Sequence, residues 1–245
     1  MAASGPAAAE GRDVDTGGDG FSARRVRMVE EGLRARGVSD ERVLAAMATV
    51  PRERFVPADL TDVAYDDRPL PIGADQTISQ PYVVALMLEA AEVRPGERVL
   101  EVGTGSGYAA AVLDELTDQV WTVERQAALA ATALVTLRST HHSGVHVRWG
   151  DGALGWAEAA PFDVIVVAAA GEQVPPRLVD QLADGGRLVM PVGRPDGPQE
   201  LVVVRRSGPT TLEERLGPVQ FVPMLPGLQD DGPVVDGAPD DPGSN

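Results

Sequence analysis

The chain has no cysteine and no lysine; all 21 of its basic residues are arginine. The first absence excludes disulfides, thiolate nucleophiles and cysteine-ligated zinc or iron–sulfur clusters. The second excludes a Schiff-base lysine, a P-loop lysine and a Ser-Lys dyad. No run approaches the roughly 20 apolar residues of a membrane helix, and the N-terminus lacks the basic-then-apolar pattern of a signal peptide. These absences predict a cytoplasmic protein. Positive charge is also short. Against 37 acidic residues the net charge is −16, which argues against nucleic-acid phosphates or anionic membranes as partners. Histidine is scarce, and His141, His142 and His146 share one segment. No carboxylate stands among them, so a solvated turn is the expected reading and no metal site is expected.

What is present suits one α/β domain with tails. The 245 residues are 43% hydrophobic, enough for a sizeable core. Residues 1–20 and 228–245 are rich in Gly, Asp and Ala or Pro and cannot bury enough apolar surface to offset ordering entropy. They are expected as disordered tails around a single domain over 21–227. Val26, Val29 and Leu33 share a face of a predicted helix over 22–36, stopped by Gly37. Ser39 is the expected cap of a second helix with Val43, Leu44 and Met47 inward. Pro51 and Pro57 bound an expected extended region. Residues 65–81 read as a long loop, and loops of that length in a compact domain are usually functional. A helix is expected from about Tyr82 to Ala91.

From Arg98 the pattern alternates. Strands are predicted at 98–102, 120–123, 145–149, 162–167, 187–191, 201–206 and 219–222, with helices at 108–116, 126–138 and 176–182. Successive β-α-β units imply a mostly parallel, doubly wound sheet covered on both faces, with the last two strands close enough to pair antiparallel.

The first of these units carries the chemistry. Val-Leu-Glu-Val-Gly-Thr-Gly-Ser-Gly-Tyr spans 99–108, with glycines at 103, 105 and 107. A dinucleotide fingerprint needs its third glycine at 108, where Tyr stands. Glu101 precedes the loop, Glu124 ends the second strand, and Asp151 follows the third in Gly-Asp-Gly. A carboxylate at 124 can accept both ribose hydroxyls of an adenosine ligand, and one at 151 can reach an adenine amino group. Glu101 suits the amino-acid end of a cationic cofactor better than a pyrophosphate. The three acids favour S-adenosylmethionine, with NAD or no ligand as the alternatives.

Several segments resemble those of the protein-L-isoaspartate O-methyltransferase family from about Arg24 to Met224. They include Val-Pro-Arg-Glu-Arg-Phe-Val-Pro (50–57), Pro-Leu-Pro-Ile-Gly (69–73), Gln-Thr-Ile-Ser (76–79), Thr-Val-Glu-Arg (122–125), Gly-Asp-Gly (150–152) and Phe-Val-Pro-Met (221–224). The glycine loop is common to many methyltransferases, whereas Gln-Thr-Ile-Ser after Pro-Leu-Pro-Ile-Gly is far more specific. The resemblance implies a Rossmann-like S-adenosylmethionine-dependent methyltransferase fold with N-terminal helices. It implies methyl transfer to the free α-carboxylate of L-isoaspartyl residues in damaged proteins and peptides, opening repair through a succinimide. It places Ser79 at the active site, with Gln76, Thr77 and Ile78 beside it at the cofactor. The glycine loop adds Glu101, Gly103, Thr104, Gly105 and Gly107 to the cofactor set. The later strand ends add Glu124, Asp151 and Gly152. A monomer is expected.

The chemistry fits the residues. An acceptor carboxylate is ionised at pH 7 and needs no general base, so Ser79 would orient it by a hydrogen bond. No Gly-x-Ser-x-Gly elbow surrounds Ser79. Three positions depart from the family pattern: Asp75 for a usual Gly, Ala168 for a usual Thr, and Gly171-Glu172 for a proline-rich stretch. Asp75 is expected to point to solvent. A rival reading is an aspartyl carboxyl methyltransferase for one dedicated peptide in natural-product maturation. Such relatives often carry a C-terminal recognition domain, and the short acidic end after Phe-Val-Pro-Met disfavours that reading. A small-molecule methyltransferase and a binding module that has lost catalysis are further rivals. The intact Gln-Thr-Ile-Ser opposes the first, and the glycine loop with Glu124 and Asp151 opposes the second. Arg24, Arg25 and Arg27 read as a solvated helix face, Trp149 and Trp156 as core or pocket wall. Tyr65, Asp66 and Asp67 read as a groove or a turn.

Overall fold

A computed structural model describes residues 19–194 and 196–229. Asp19–Arg27 (α1) runs directly into a π-helical stretch, Met28–Leu33, and a 3₁₀ turn, Arg34–Arg36, that ends at Gly37. Met28, Val29 and Leu33 are buried, but Val26 is 53% exposed. A 3.6-residue period does not carry across the wider π-turn, so Val26 falls on the solvent side. Glu41–Thr49 (α2) is capped by Asp40, whose carboxylate accepts from the amides of Arg42 and Val43. Ser39, the expected cap, instead donates its amide and hydroxyl to Glu89. Val43, Leu44 and Met47 point inward as the spacing requires.

Pro51 and Pro57 do not bound an extended region. Each starts a 3₁₀ segment, Arg52–Phe55 and Ala58–Val63, with its carbonyl accepting from Arg54 or Leu60. The fixed φ of proline favours such turn openings. The expected loop at 65–81 holds a hairpin, Leu70–Gly73 (β1) against Gln76–Ile78 (β2). Its turn residues, Ala74 and Asp75, have φ of +50° and +55°, as the tight two-residue hairpin turn requires. Pro69, Pro71 and Gly73 hid the strand signal, because prolines read as loop and fit only a strand edge. Pro81–Ala91 (α3) follows.

The alternating part is then built as Val99–Val102 (β3), Tyr108–Asp114 (α4), Val120–Glu124 (β4), Ala127–Ser139 (α5) and His146–Trp149 (β5). It continues as Phe162–Val167 (β6), Pro176–Asp180 (α6), Leu182–Gly193 (β7), Gln199–Ser207 (β8) and Thr210–Val219 (β9). These strands form one seven-stranded sheet in the order β5-β4-β3-β6-β7-β8-β9. β3 to β7 run parallel, while β8 is antiparallel to both β7 and β9. Successive buried residues supply opposite cores. Val99, Val164, Val166 and Val203 pack with the N-terminal helices, α3 and α4; Leu100, Ile165, Val167 and Val202 pack on the other face with Leu178 of α6. Both faces of a parallel sheet are covered, which is why these strands read as unbroken apolar runs.

The last strand differs from expectation. β9 overlaps the predicted 219–222 strand only at Val219. It is exposed nearly throughout, and Glu213, Glu214 and Arg215 give no apolar alternation; pairing with β8 sets it instead. Beyond it, the Gln199 side chain clasps Phe221 by its amide and its carbonyl. The expected tails lie almost wholly outside the described residues. Asp19 and Gly20 belong to α1, and the Gln229 amide donates to the Arg125 carbonyl.

Candidate active site

The chain passes from β3 outward to β4 and β5, then returns to lay β6 on the other side of β3. At such a reversal the loops leave in opposite directions and open a crevice at the carboxyl ends of the strands. The glycine loop leaves β3 there. Gly103 donates to the Val123 carbonyl at 2.8 Å, and the Gly105 amide donates to Glu124 Oε2 at 2.9 Å. The other carboxylate oxygen of Glu124 accepts from the Gln126 amide at 3.0 Å. Glu124 therefore fastens the loop to the end of β4. A Cβ on Gly105 would stand 3.3 Å from Ile72 Cδ1, so the β1–β2 hairpin closes directly over the loop. Gln126 ties that hairpin down, donating from Nε2 to the Ala74 carbonyl at 3.2 Å.

Under the hairpin lies a cleft of about 890 Å³, counting the space open to solvent. Gln76, Thr77, Ile78 and Ser79 line one side. Glu101, Gly103, Thr104, Gly105, Glu124 and Gly152 line the cleft as well. A Cβ on Gly152 would lie 2.4 Å from Val102 Cγ1, so only glycine lets this turn approach β3. Glu101 is 1% exposed and accepts from the Thr122 hydroxyl, which also bonds to Thr104 Oγ1, each at 2.6 Å. Burial pushes the Glu101 carboxyl up to about 8; the Thr122 hydroxyl opposes the rise and the Glu124 charge adds to it. Burial raises Glu124 too, against the backbone donors of Gly105, Gln126 and Arg125. Neither acid has an ion-pair partner among the described residues. Gln126 Oε1 is buried in the same wall without a hydrogen-bond partner. Two buried acids without an ion-pair partner and a spare acceptor fit a ligand that brings positive charge and hydrogen-bond donors.

A second hollow, of about 1420 Å³, opens beside the first. Thr77, Ser79, Ala168 and Val222 line both. Its outer wall includes Phe221 and Tyr82, with the Arg36 guanidinium 3.6 Å above the Tyr82 ring. The Ser79 side chain stands at the junction, half-buried.

The protein-L-isoaspartate(D-aspartate) O-methyltransferase family model matches residues 23–229. The chain belongs to this family. A protein-L-isoaspartate O-methyltransferase of Methylorubrum populi is 56% identical over 84% of this chain and 97% of the relative. One from Opitutus terrae is 56% identical over 82% and 86%. Among solved structures, a protein-L-isoaspartate O-methyltransferase matches with TM-score 0.75 at 28% identity, over 83% of this chain and 67% of its own. A Plasmodium falciparum chain described as the same enzyme, in complex with S-adenosyl-L-homocysteine, matches with TM-score 0.72 at 26% identity, over 82% and 98%. Membership makes the chain an S-adenosylmethionine-dependent carboxyl methyltransferase, and the Rossmann-like fold is that of its family.

Not every residue expected at the site reaches it. Gly107 does not line the cleft; it starts α4 with φ +88° and packs against Leu137 and Ala133. The Asp151 side chain does not line the cleft, although its carboxylate, like that of Glu124, keeps acceptor capacity beyond its two backbone amides. One oxygen caps the 3₁₀ turn through the Ala153 amide at 2.9 Å, and the other holds the Gly227 amide at 2.7 Å. An aspartate before Gly-Ala-Leu is a capping residue as readily as a ligand. Sequence reasoning missed Gln126, Tyr108 and the 222–225 segment, all in the cleft wall. Phe-Val-Pro-Met carries the family resemblance yet showed no chemical group to assign, and Gln126 was hidden behind the stronger signal of Glu124.

The departures from the family pattern fall in distinct places. Asp75 is exposed at the hairpin turn and points to solvent. Ala168 lines both hollows. Gly171 packs where a Cβ would meet Met190 Cε at 2.7 Å. Other readings shift as well. Arg25 is not solvated; it donates to Tyr65 Oη and pairs with Glu53 at 3.3 Å, which places Tyr65 in an ionic cluster. Asp67 accepts from the Tyr82 amide and the Gln80 side chain, so it shapes the groove by holding its wall. Neither Trp149 nor Trp156 lines the cleft. His142 is buried against Asp114, 28 residues earlier in α4, and His146 stacks on Trp121.

Proposed function

We infer that the chain methylates the free α-carboxylate of L-isoaspartyl residues in damaged proteins and peptides. The resulting ester opens repair by closing to a succinimide, which water opens partly to normal aspartate. The meeting of the two hollows at Ser79 carries this reading. One is a cleft with buried acids for a cationic cofactor; the other is a larger hollow open to solvent that would take the peptide. S-adenosylmethionine, when bound, supplies an electrophilic methyl on a positively charged sulfur. Glu124 would accept the ribose hydroxyls, and Glu101 the amino-acid end. Gln76, Thr77, Ile78, Gly103, Thr104, Gly105 and Gly152 would complete the enclosure. Ser79 would donate its hydroxyl to the acceptor carboxylate and hold it toward the cleft. No residue must remove a proton, since the acceptor is already ionised; alignment is the work, and proximity can supply roughly 7–11 kcal/mol. The net charge of −16 supports a protein that avoids nucleic acid and anionic lipid, and we read it as a cytoplasmic monomer. No helix of the described residues is long and apolar enough to cross a membrane.

The test is a peptide pair differing only in isoaspartyl or aspartyl linkage, incubated with labelled S-adenosylmethionine. Base-labile ester on the isoaspartyl peptide alone is expected. Ester on neither, with S-adenosylhomocysteine still bound, would overturn the reading.

A further inference from the structure

Two arginines are buried among the described residues, and the fold treats them differently. Arg187 meets a carboxylate, pairing with Glu97 at 2.6 Å. Arg52 is 0% exposed and meets none. Its Nε donates to the Ala64 carbonyl and its Nη2 to the Ser79 carbonyl, both at 2.7 Å. Its Cζ stands 4.7 Å from the centre of the Tyr108 ring. Nη1 and the Tyr108 hydroxyl are both buried without a well-aligned hydrogen bond, and the guanidinium and the Tyr108 side chain attract each other. Asp67, whose charge is felt at Arg52, is itself taken up by Arg36, Gln80 and Tyr82. A guanidinium keeps its proton in a protein, and burying one without a counter-ion is expensive. Two carbonyls and a ring face compensate only in part.

We propose that Arg52 determines the choice of acceptor: it supplies, from behind the wall, the positive charge that a carboxylate needs at the junction of the two hollows. The inference rests on the isoaspartyl reading. Ser79 lines both hollows and Tyr108 lines the cleft, so the charge lies one residue behind the surface that the acceptor meets. Low-dielectric surroundings preserve its reach. The acceptor loses its charge as it becomes a neutral ester, so Arg52 favours the bound acceptor over the transition state. Removing the charge raises KM while kcat holds or rises. A merely structural loss would lower kcat and weaken cofactor binding.

Arg52→Gln and Arg52→Lys in the full chain test this. Arg52→Gln is expected to raise KM for an isoaspartyl peptide by about tenfold or more at unchanged kcat, while Arg52→Lys stays within about threefold of wild type. Arg52→Gln is also expected to shift relative affinity from S-adenosylhomocysteine toward S-adenosylmethionine, whose sulfonium Arg52 repels. An unchanged KM, or equal losses in both variants, overturns the proposal. If neither variant folds, the wild type decides. It should bind an isoaspartyl peptide about tenfold or more tighter than its isoasparaginyl counterpart, and equal affinity overturns the proposal. Wild-type protein that methylates no isoaspartyl peptide sinks the functional reading and this inference together. Wild-type activity beside an unaltered Arg52→Gln KM sinks this inference alone.

Discussion

Glu101 and Glu124 pull the cleft in two directions: each destabilises the empty protein, and each suits a cationic ligand. In the folded chain Glu101 keeps its proton up to about pH 8, whereas its ordinary value is 4.5. Below about pH 4.5 both states hold the proton and the folded state has its full advantage. Between 4.5 and 8 unfolding releases a proton, so the ligand-free protein loses stability as pH rises through that window, and beyond it nothing more is lost. Calorimetry should therefore show Tm of the ligand-free protein falling from pH 5.5 to 8, with a shallower fall in Glu101→Gln; parallel slopes would contradict this origin. Glu124, shifted the same way, adds to the slope. Glu124 has the more direct role in binding. Glu124→Ala removes a charged acceptor worth about 1.5–3 kcal/mol, so affinity for S-adenosylhomocysteine should fall about ten- to hundredfold by titration calorimetry. An unchanged affinity would remove Glu124 from the cofactor site. Both acids were legible in the sequence because they stand at strand ends beside a glycine loop. Arg52 was not: it lies in the 50–57 segment, but only packing shows that carbonyls and no carboxylate meet it.

Among the elements, the β1–β2 hairpin links sequence to site most closely. It covers the glycine loop through Ile72, holds Gln126 through the Ala74 carbonyl, and delivers Gln76 to Ser79 to the cleft. Its turn needs two residues of positive φ and has Ala and Asp there. Ala pays about 1–2 kcal/mol for that region, partly offset by the entropy glycine would lose on folding. Ala74→Gly is thus expected to raise unfolding free energy by about 0.5–1 kcal/mol without changing cofactor affinity; a lower Tm in thermal denaturation would refute the strained turn. The same geometry explains why a glycine before Gln-Thr-Ile-Ser is the ordinary choice and why Asp75 is tolerated there, since aspartate visits this region more easily than most residues. Helices and buried strands were legible because apolar period and burial agree. The hairpin was hidden by its prolines, β9 by its exposure, and Val26 by a π-turn that resets the helical phase.

For the whole molecule, the order of the strands does the decisive work. The reversal at β3 places the glycine loop, the end of β4 and the Gly152 turn around one crevice, and the segment after β9 returns to close it with Val222. Alternation of strand and helix foretold the parallel sheet, but no local pattern says that residues 222 and 79 line the same hollows; that depends on the register of β7, β8 and β9. The reaction therefore rests on geometry: cofactor in the cleft, acceptor in the adjoining groove, both meeting at Ser79. A crystal structure of the chain with S-adenosylhomocysteine and an isoaspartyl peptide measures this directly. The isoaspartyl carboxylate is expected within hydrogen-bond distance of Ser79 Oγ, facing the cofactor sulfur, with the peptide lying against Tyr82 and Phe221. A peptide seated elsewhere, or a carboxylate turned away from Ser79 while the cofactor occupies the cleft, would contradict this geometry.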